Sequence, residues 1–266
     1  MSHAKSILKV VVNGATGRMG INVVKVVIND HSCELAACVA SSSNKLLNKP
    51  YDLVKSTTPL PIVKSILDIK ADVIIDFSTP VAVMQIIQSA VKMEIPLVIG
   101  TTGFNSSQSK ELKFASTKIP VFISSNMSSS VFLFGFLAKF AANLFQIGKI
   151  EIVEEHHRFK KDKPSGTALL LKDQIKQVFK TNDIPIHSVR VGDIIGNHSI
   201  KLGLRNEVIT LSHSALSREL FALGSLDAAK FLVKQKNGIY EMSDMINSQI
   251  QRSMRYIMHG ITQRKK

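Results

Sequence analysis

The chain has 266 residues, 45% of them hydrophobic, and carries a formal net charge of +14 from 34 Lys and Arg against 20 Asp and Glu. That length accommodates one large or two ordinary domains with a buried core. No tract is long enough to span a membrane, and the start, MSHAKSILKV, lacks the apolar stretch and small-residue cleavage site of a secretory signal, so a cytoplasmic protein without membrane partners is expected.

A strongly basic chain is a candidate for nucleic-acid binding, but here only the Lys160–Lys163 loop and the Arg264–Lys266 tail cluster their charge. There is no tryptophan and no basic strand interleaved with aromatics, so no nucleic-acid partner is expected. The charge suits a solvated surface, or a field that attracts anionic ligands. The two cysteines, Cys33 and Cys38, sit on one candidate strand at an odd separation and should face opposite sides as buried thiols. No further cysteine is present, and the adjacent His156 and His157 lack the spacing with which a helix presents two ligands, so no metal site is expected.

Taken in chain order, the apolar run Ile7–Val12 predicts a strand that leads into NGATGRMG and then into a helix marked by Ile21, Val24, Val27 and Ile28. Strand, glycine turn and helix form a dinucleotide site when Gly14 permits the tight turn, Gly17 lets backbone approach a pyrophosphate and Gly20 lets the helix pack close. Gly14, Ala15, Thr16, Gly17, Arg18 and Met19 are therefore candidate cofactor contacts. The spacing is GxxGxxG, and such turns also serve plain strand-to-helix connections.

Further buried strands are predicted over Cys33–Ala40, Val73–Phe77, Leu97–Ile99 and Val121–Ser124, alternating with helical segments. Alternation of this kind predicts a doubly wound parallel sheet, whose ligands bind beyond the carboxyl ends of the strands. That rule nominates Ser78 and Thr79, then Gly100, Thr101, Thr102 and Gly103, then Ser125, Asn126 and Met127. Thr101 and Thr102 would serve equally well as helix caps. Where the second strand ends, an acid usually holds the adenosine ribose, about 20 residues beyond the glycine turn. This chain instead reads Ala40, Ser41, Ser42, Ser43. The missing carboxylate removes a barrier to a 2′-phosphate, to which Ser41, Ser42 and Lys45 could donate, so NADPH is favoured with NADH allowed. A serine loop chosen for turn formation is the plain alternative.

From Met127 the character changes. Phe132–Phe145 is strongly apolar, with Phe132, Phe136, Ala138, Phe140 and Leu144 at helical spacing, and predicts a core helix. A strand over Lys149–Glu155 follows, then a basic loop, a helix over Thr167–Phe179, and short runs at Ser188–Val191, His198–Leu204 and Glu207–Leu211 that read as hairpin-connected strands of an open mixed sheet. A final helical pattern runs from Leu220 through Leu232.

The stretch EEHHRFKKDKPSGTALL is the densest in chemistry. His156 and His157 should emerge at a strand end on different sides, Lys160, Lys161 and Lys163 share one loop, and Pro164 suits the first turn of the next helix. Ser165, Gly166 and Thr167 leave the following amides able to face a carboxylate or phosphate. A capped helix behind a basic loop is the structural alternative.

Filled by Glu155, His156, His157, Lys160, Asp162, Pro164, Ser165, Gly166, Thr167 and Ala168, this string resembles the signature of the dihydrodipicolinate reductase family. The GRMG ending of the glycine turn, Gly192, Asp193 and Gly196, and Ser217 with Arg218 also fit that family, so the resemblance covers nearly the whole chain. It implies an α/β protein with a Rossmann-like dinucleotide-binding domain over residues 1–127 and 218–266. An α+β domain over 128–217, with an open mixed sheet, would bind substrate and assemble a homotetramer. The implied reaction is NAD(P)H-dependent reduction of a cyclic imine dicarboxylate on the diaminopimelate route to lysine. Hydride adds at a ring carbon, and the resulting enamine takes up a proton.

The implied roles are residue-specific. His156 and Lys160 are the candidate acids, both chemically suited to the task. His157, Ser165, Gly166 and Thr167 contact the substrate carboxylates. Gly100, Thr101 and Thr102, with Ser124, Ser125, Asn126 and Met127, line the nicotinamide. Lys160 could instead only pair with the dicarboxylate. Rival readings are another two-domain nicotinamide enzyme acting on a different small carboxylate, a non-catalytic dinucleotide sensor, and a nucleic-acid-binding protein.

Overall fold

A computed structural model describes residues 7–52, 60–145, 148–179 and 184–263. The basic tail at Arg264–Lys266 lies outside the described residues. The chain divides into two compact units, one formed by Met1–Met127 with Glu219–Lys266 and the other by Ser128–Arg218. Among the described residues no helix is long and apolar enough to cross a membrane.

The first unit is built on a seven-stranded sheet containing β1 (Leu8–Asn13), β2 (Cys33–Val39), β3 (Ile62–Val63), β4 (Val73–Asp76), β5 (Leu97–Ile99), β6 (Pro120–Ile123) and β11 (Gly238–Tyr240). Every pairing is parallel, in the order β11-β6-β5-β4-β1-β2-β3. Parallel strands covered on both faces read as unbroken apolar runs, as Val10–Val12 and Val73–Ile75 do, all fully buried. The order reverses between β1 and β4, which places a ligand-binding crevice at their carboxyl ends. The strand expectations hold to within a residue or two at each end. The short strands β3 and β11 had no pattern to announce them.

Helices α1 (Arg18–Asn29), α2 (Pro80–Lys92), α3 (Ser106–Ser116), α6 (Glu219–Leu232) and α7 (Met242–Gln263) belong to this unit. Helix α6 packs on α1 and on β4, β5 and β6 through Ala222, Leu226, Ala229 and Leu232. Two ion pairs, Lys25 to Glu219 at 2.7 Å and Lys230 to Asp30, tie α6 to the α1 region. The predicted last helical pattern thus belongs to the first unit.

The two cysteines correct an expectation. Cys38 is fully buried, and burial pushes its thiol up to about 12, but Cys33 is only half-buried. A bulge at Ala36 shifts the register between β1 and β2, pairing Cys33 with Leu8 and Cys38 with Val12. The alternation on which opposite-facing thiols rested is therefore interrupted. What keeps the thiols unbridged is distance along the strand, four register steps or about 13 Å.

The second unit carries a four-stranded mixed sheet in the order β10-β9-β7-β8, formed by β7 (Lys149–His156), β8 (Ile186–Arg190), β9 (Gly196–Gly203) and β10 (Val208–Ala215). Helices α4 (Ser129–Leu144) and α5 (Gly166–Lys176) cover one face, burying Phe134, Ala138, Leu171 and Ile175 against Ile150, Ile152, Ile200 and Leu202. Only β9 and β10 form the expected hairpin. Strand β8 pairs parallel to β7 after a crossover through α5, and so lies on the far side of β7 from β9. The buried face of α4 also differs from expectation, running through Val131, Phe134, Gly135, Ala138 and Ala142, while Phe140 and Leu144 are exposed. A helix apolar on every side gives no periodic cue to its buried face.

Two glycines fix the entry to α1. Gly14 has φ +76°, and a β-carbon there would lie 2.5 Å from the Phe77 carbonyl oxygen; one at Gly20 would lie 2.0 Å from the Gly14 oxygen. Gly20→Val is expected to destabilise the protein by at least about 3 kcal/mol in urea denaturation, because backbone must move. Gly17→Ala, whose β-carbon comes no nearer than 3.2 Å to that same oxygen, should cost much less, and equal losses would contradict this packing.

Candidate active site

In the first unit, the carboxyl ends of β1, β4, β5 and β6 bring together most of the expected cofactor residues. The turn after β1 is held by its backbone, with the Gly14 and Ala15 N–H groups donating to the Val39 oxygen at 3.0 and 3.1 Å and Gly17 N–H to the Gly14 oxygen at 2.9 Å. Tyr51, 2% exposed, donates to the Ala15 oxygen at 2.8 Å, and Asn44 Nδ2 donates to Thr16 Oγ1 at 2.9 Å. Gly17 is the N-cap of α1 and supplies no side-chain acceptor, and no acid occupies the first turn. By contrast Thr79, Asn105, Ser128 and Ser165 cap their helices with side-chain oxygens. An uncapped first turn behind a glycine turn, with Gly17 and Arg18 exposed, leaves amides and positive dipole for a phosphate. The residues present therefore fit the pyrophosphate of a dinucleotide.

A buried carboxylate not anticipated from the sequence organises these loops. Asp76, at the end of β4, is fully buried and accepts from Asn13 Nδ2, Thr101 Oγ1, Ser78 Oγ at 2.7 Å and Ser78 N–H at 3.2 Å. Burial raises its pKa, against the opposing pull of those donors. Thr101 Oγ1 also accepts from Ser78 N–H at 2.9 Å, so its hydroxyl is committed inside the protein. Neither Thr101 nor Thr102 caps α3; that falls to Asn105, in a capping box with Gln108. Thr102 and Ser125 are exposed, Gly100 and Asn126 half-buried, and Met127 buried. Ser124 is buried with its hydroxyl donating to the Asn126 oxygen at 2.6 Å.

Beside the switch point, a cavity is lined by Asn13, Val39, Ala40, Ser41, Lys64 and Ser65, with α2 behind it. Lys64, which follows the short strand β3, enters here; Lys45, the sequence-based candidate, does not line it. Ser41 is exposed and its hydroxyl lies 3.0 Å from that of Ser43.

In the second unit the signature folds around a second buried carboxylate. The alternation of β7 puts Ile150, Ile152, Glu154 and His156 on the buried face, with His157 half-buried just beyond the strand. Glu154 is wholly buried. Both Arg190 terminal nitrogens donate to it, at 2.9 and 2.7 Å, His156 Nδ1 hydrogen-bonds to its Oε2, and Ser165 N–H reaches Oε1 at 3.3 Å. Burial pushes the Glu154 carboxyl up, but the donors Arg190, Ser188 and His156 outweigh it and hold it at about 2. Burial lowers the His156 imidazole, partly offset by Glu154.

Arg190 Nη2 also donates to the Asp162 backbone oxygen at 2.6 Å, which anchors the loop that carries Lys160. Lys160 Nζ pairs with Asp162 Oδ1 at 2.8 Å, and its side chain is 23% exposed. The Lys160 ammonium and the Gly166 N–H both hold the Asp162 carboxyl below its ordinary range. A carboxylate thus already rests against the mouth of α5. Helix α5 begins at Gly166 with Ser165 as its N-cap, so Pro164 lies ahead of the cap and not in the first turn, after a cis Lys163–Pro164 bond. Ser165 is 1% exposed; its Oγ accepts from Ala168 N–H at 3.2 Å and lies 3.3 Å from His198 Nε2. Its side chain therefore faces inward, while Gly166 is exposed and Thr167 half-buried. His198, missed from sequence, packs edge-on against His156 at 5.3 Å between ring centroids and lies 6.4 Å from His213.

Two family models match the chain: "Dihydrodipicolinate reductase, N-terminus" over residues 8–127 and "Dihydrodipicolinate reductase, C-terminus" over 130–246. A 4-hydroxy-tetrahydrodipicolinate reductase of Caldanaerobacter subterraneus subsp. tengcongensis is 40% identical over 260 residues, covering 90% of this chain and 98% of the relative. One from Rickettsia bellii is 37% identical, covering 92% and 96%. Among solved structures, a dipicolinate-bound dihydrodipicolinate reductase from Paenisporosarcina sp. TG-14 superposes with a TM-score of 0.77 at 26% identity, covering 90% of this chain and 99% of that one.

The buried rings have a consequence for stability. Burial first, then neighbouring His156 and His213, push His198 down from 6.5 to about 4. A histidine whose folded pKa is depressed contributes stability that is present above its unfolded pKa and lost as pH falls through the folded one. The protein should therefore lose stability between pH 6.5 and about 4, with up to about 3 kcal/mol of that loss traceable to this ring. Chemical denaturation across that window should show a shallower decline for His198→Gln, and parallel curves would contradict the assignment.

Proposed function

The chain belongs to the dihydrodipicolinate reductase family, and from that premise we propose how its residues carry out the reaction. The reaction is the NAD(P)H-dependent reduction of 4-hydroxy-tetrahydrodipicolinate to tetrahydrodipicolinate, in the diaminopimelate route of lysine biosynthesis. The observation that carries this reading is the match of the two family models over residues 8–127 and 130–246, together nearly the whole chain.

Residues 1–127 with 218–266 would bind the dinucleotide, its pyrophosphate on the Gly14–Met19 turn and its nicotinamide beside Gly100–Thr102 and Ser124–Met127. A bound nicotinamide supplies hydride. The residues of 128–217 would hold the substrate and present the proton. The amides of Gly166 and Thr167, with His157, are suited to a ring carboxylate, which would take the place of the Asp162 carboxylate beside Lys160. Of the two candidate acids, Lys160 is the better exposed, while His156 is 7% exposed with Nδ1 committed to Glu154. Lys160 would therefore deliver the proton to the enamine carbon, and His156 would shape the field around it.

For nucleotide preference, Lys64 and Ser41 in the cavity beyond β2, with no acid among its described lining residues, favour the 2′-phosphate of NADPH over NADH. A homotetramer assembled through the second unit is supported by the apolar side chains it exposes, including Leu133, Leu137, Phe140 and Leu144 on one stripe of α4. A cytoplasmic site of action accords with the free thiols of Cys33 and Cys38.

Mixing purified protein and NADPH with freshly prepared 4-hydroxy-tetrahydrodipicolinate should bleach the nicotinamide absorbance, and binding of cofactor without bleaching would overturn the reading. Lys160→Ala should lower kcat by about 100-fold or more while the NADPH dissociation constant stays put. Equal losses in both would take Lys160 out of the chemistry. Lys64→Ala should erode the rate advantage of NADPH over NADH by about tenfold, and an unchanged ratio would dismiss Lys64 as the phosphate partner.

A further inference from the structure

We infer that Glu154 and Arg190 are positioning residues for the reduction, a buried pair that holds His156, the Lys160 loop and the amide end of α5 in a single arrangement. This inference rests on the site proposed above and goes beyond it, because neither residue would touch substrate or cofactor.

Burying a carboxylate is costly unless donors surround it. Glu154 has no access to water, so its two oxygens must find donors within the protein. The donors come from three parts of the site. Oε2 takes His156 Nδ1 and Arg190 Nη1, and Oε1 takes Arg190 Nη2 and the N–H of Ser165. Ser165 is the N-cap of α5, so the bond from its N–H sets where the Gly166 and Thr167 amides lie. Arg190 carries the arrangement further, since Nη2 also holds the Asp162 carbonyl, and the Asp162 side chain pairs with Lys160. A planar guanidinium can serve a carboxylate with two nitrogens and a carbonyl with one of them at the same time; a lysine in its place cannot.

The pair also fixes a tautomer. With Nδ1 facing an ionised carboxylate, the neutral His156 ring carries its proton on Nδ1 and leaves Nε2 as an acceptor. The charged and titratable groups facing this ring are Glu154 on its own strand, Arg190 on β8, Lys160 in the loop and His198 on β9, with His213 on β10 beyond His198. Glu154 is the sole anion among them. Removing its charge leaves the imidazolium facing only cations and neutral rings, so protonation of His156 must become harder.

The test uses the full-length protein with Glu154→Gln, Arg190→Lys and Arg190→Ala. Two readouts precede turnover: NADPH affinity, and the tautomer and titration of His156 followed by 15N NMR without any ligand. For Glu154→Gln the His156 titration should move to lower pH, and kcat/KM for the dicarboxylate should fall at least about tenfold with NADPH affinity unchanged. Arg190→Lys should lose nearly as much as Arg190→Ala, and added guanidinium should restore part of the Arg190→Ala activity. An unmoved His156 titration, wild-type kcat/KM in Glu154→Gln, or absence of guanidinium rescue would each overturn the inference. If Glu154→Gln fails to fold, the Arg190 variants decide by rescue alone. Inactivity of the wild-type protein toward the dicarboxylate would instead overturn the function proposed above, while the NMR titration would still judge the positioning pair.

Discussion

A carboxylate sealed from water has to be paid for with donors, and in this protein Glu154 recruits them from three separate places along the chain and reaches a fourth indirectly. It collects the end of its own strand, the guanidinium of Arg190, the N-cap of α5 and, through Arg190, the loop bearing Lys160. Breaking such a pair by deleting one partner commonly costs roughly 3–5 kcal/mol, because the survivor is left buried and charged. That cost is the physical reason why a loop containing Lys160, Lys161 and Lys163, otherwise free to spread under its own repulsion, is held against one helix end.

The same device appears in the other unit. Asp76, buried at the end of β4, draws in Asn13 from β1, Ser78 from its own loop and Thr101 from the loop after β5. The glycine turn is then pinned from beneath by Val39 and Tyr51. In both units a buried acid sits in the last two or three residues of a strand, one layer below the groups that would meet a ligand. The acids stabilise loop geometry, and in the second unit the Lys160 ammonium above Glu154 is itself paired with Asp162. For a reaction in which the cofactor supplies the reducing chemistry, geometry and charge of this kind are the protein's main contribution.

The sequence made some of this legible and concealed the rest, for identifiable reasons. The parallel sheet and the glycine turn were readable because buried strands are continuous apolar runs and the turn is a local requirement. The signature from Glu154 to Leu170 was readable because its chemistry lies within a strand, a loop and a helix start. Glu154 itself was accessible in principle, since the two-residue period of a strand puts it on the same face as His156. Arg190, His198 and Lys64 gave no signal; each is a lone residue brought in from a distant strand. The mispaired β8 reflects a crossover that the spacing of short strands does not reveal, and the α4 face was hidden by apolar residues on every side. Cys33 shows how one bulge defeats a parity argument.

On the function proposed, the amide end of α5 and the neighbouring Lys160 loop would form the seat for a doubly anionic ring. Hydrogen exchange of backbone amides, recorded with NADPH present and with or without pyridine-2,6-dicarboxylate as a planar stand-in for that ring, tests it most directly. Slowed exchange at Gly166 and Thr167 and through residues 158–162 is the predicted result. Protection confined to other segments, with these amides exchanging as before, would contradict it.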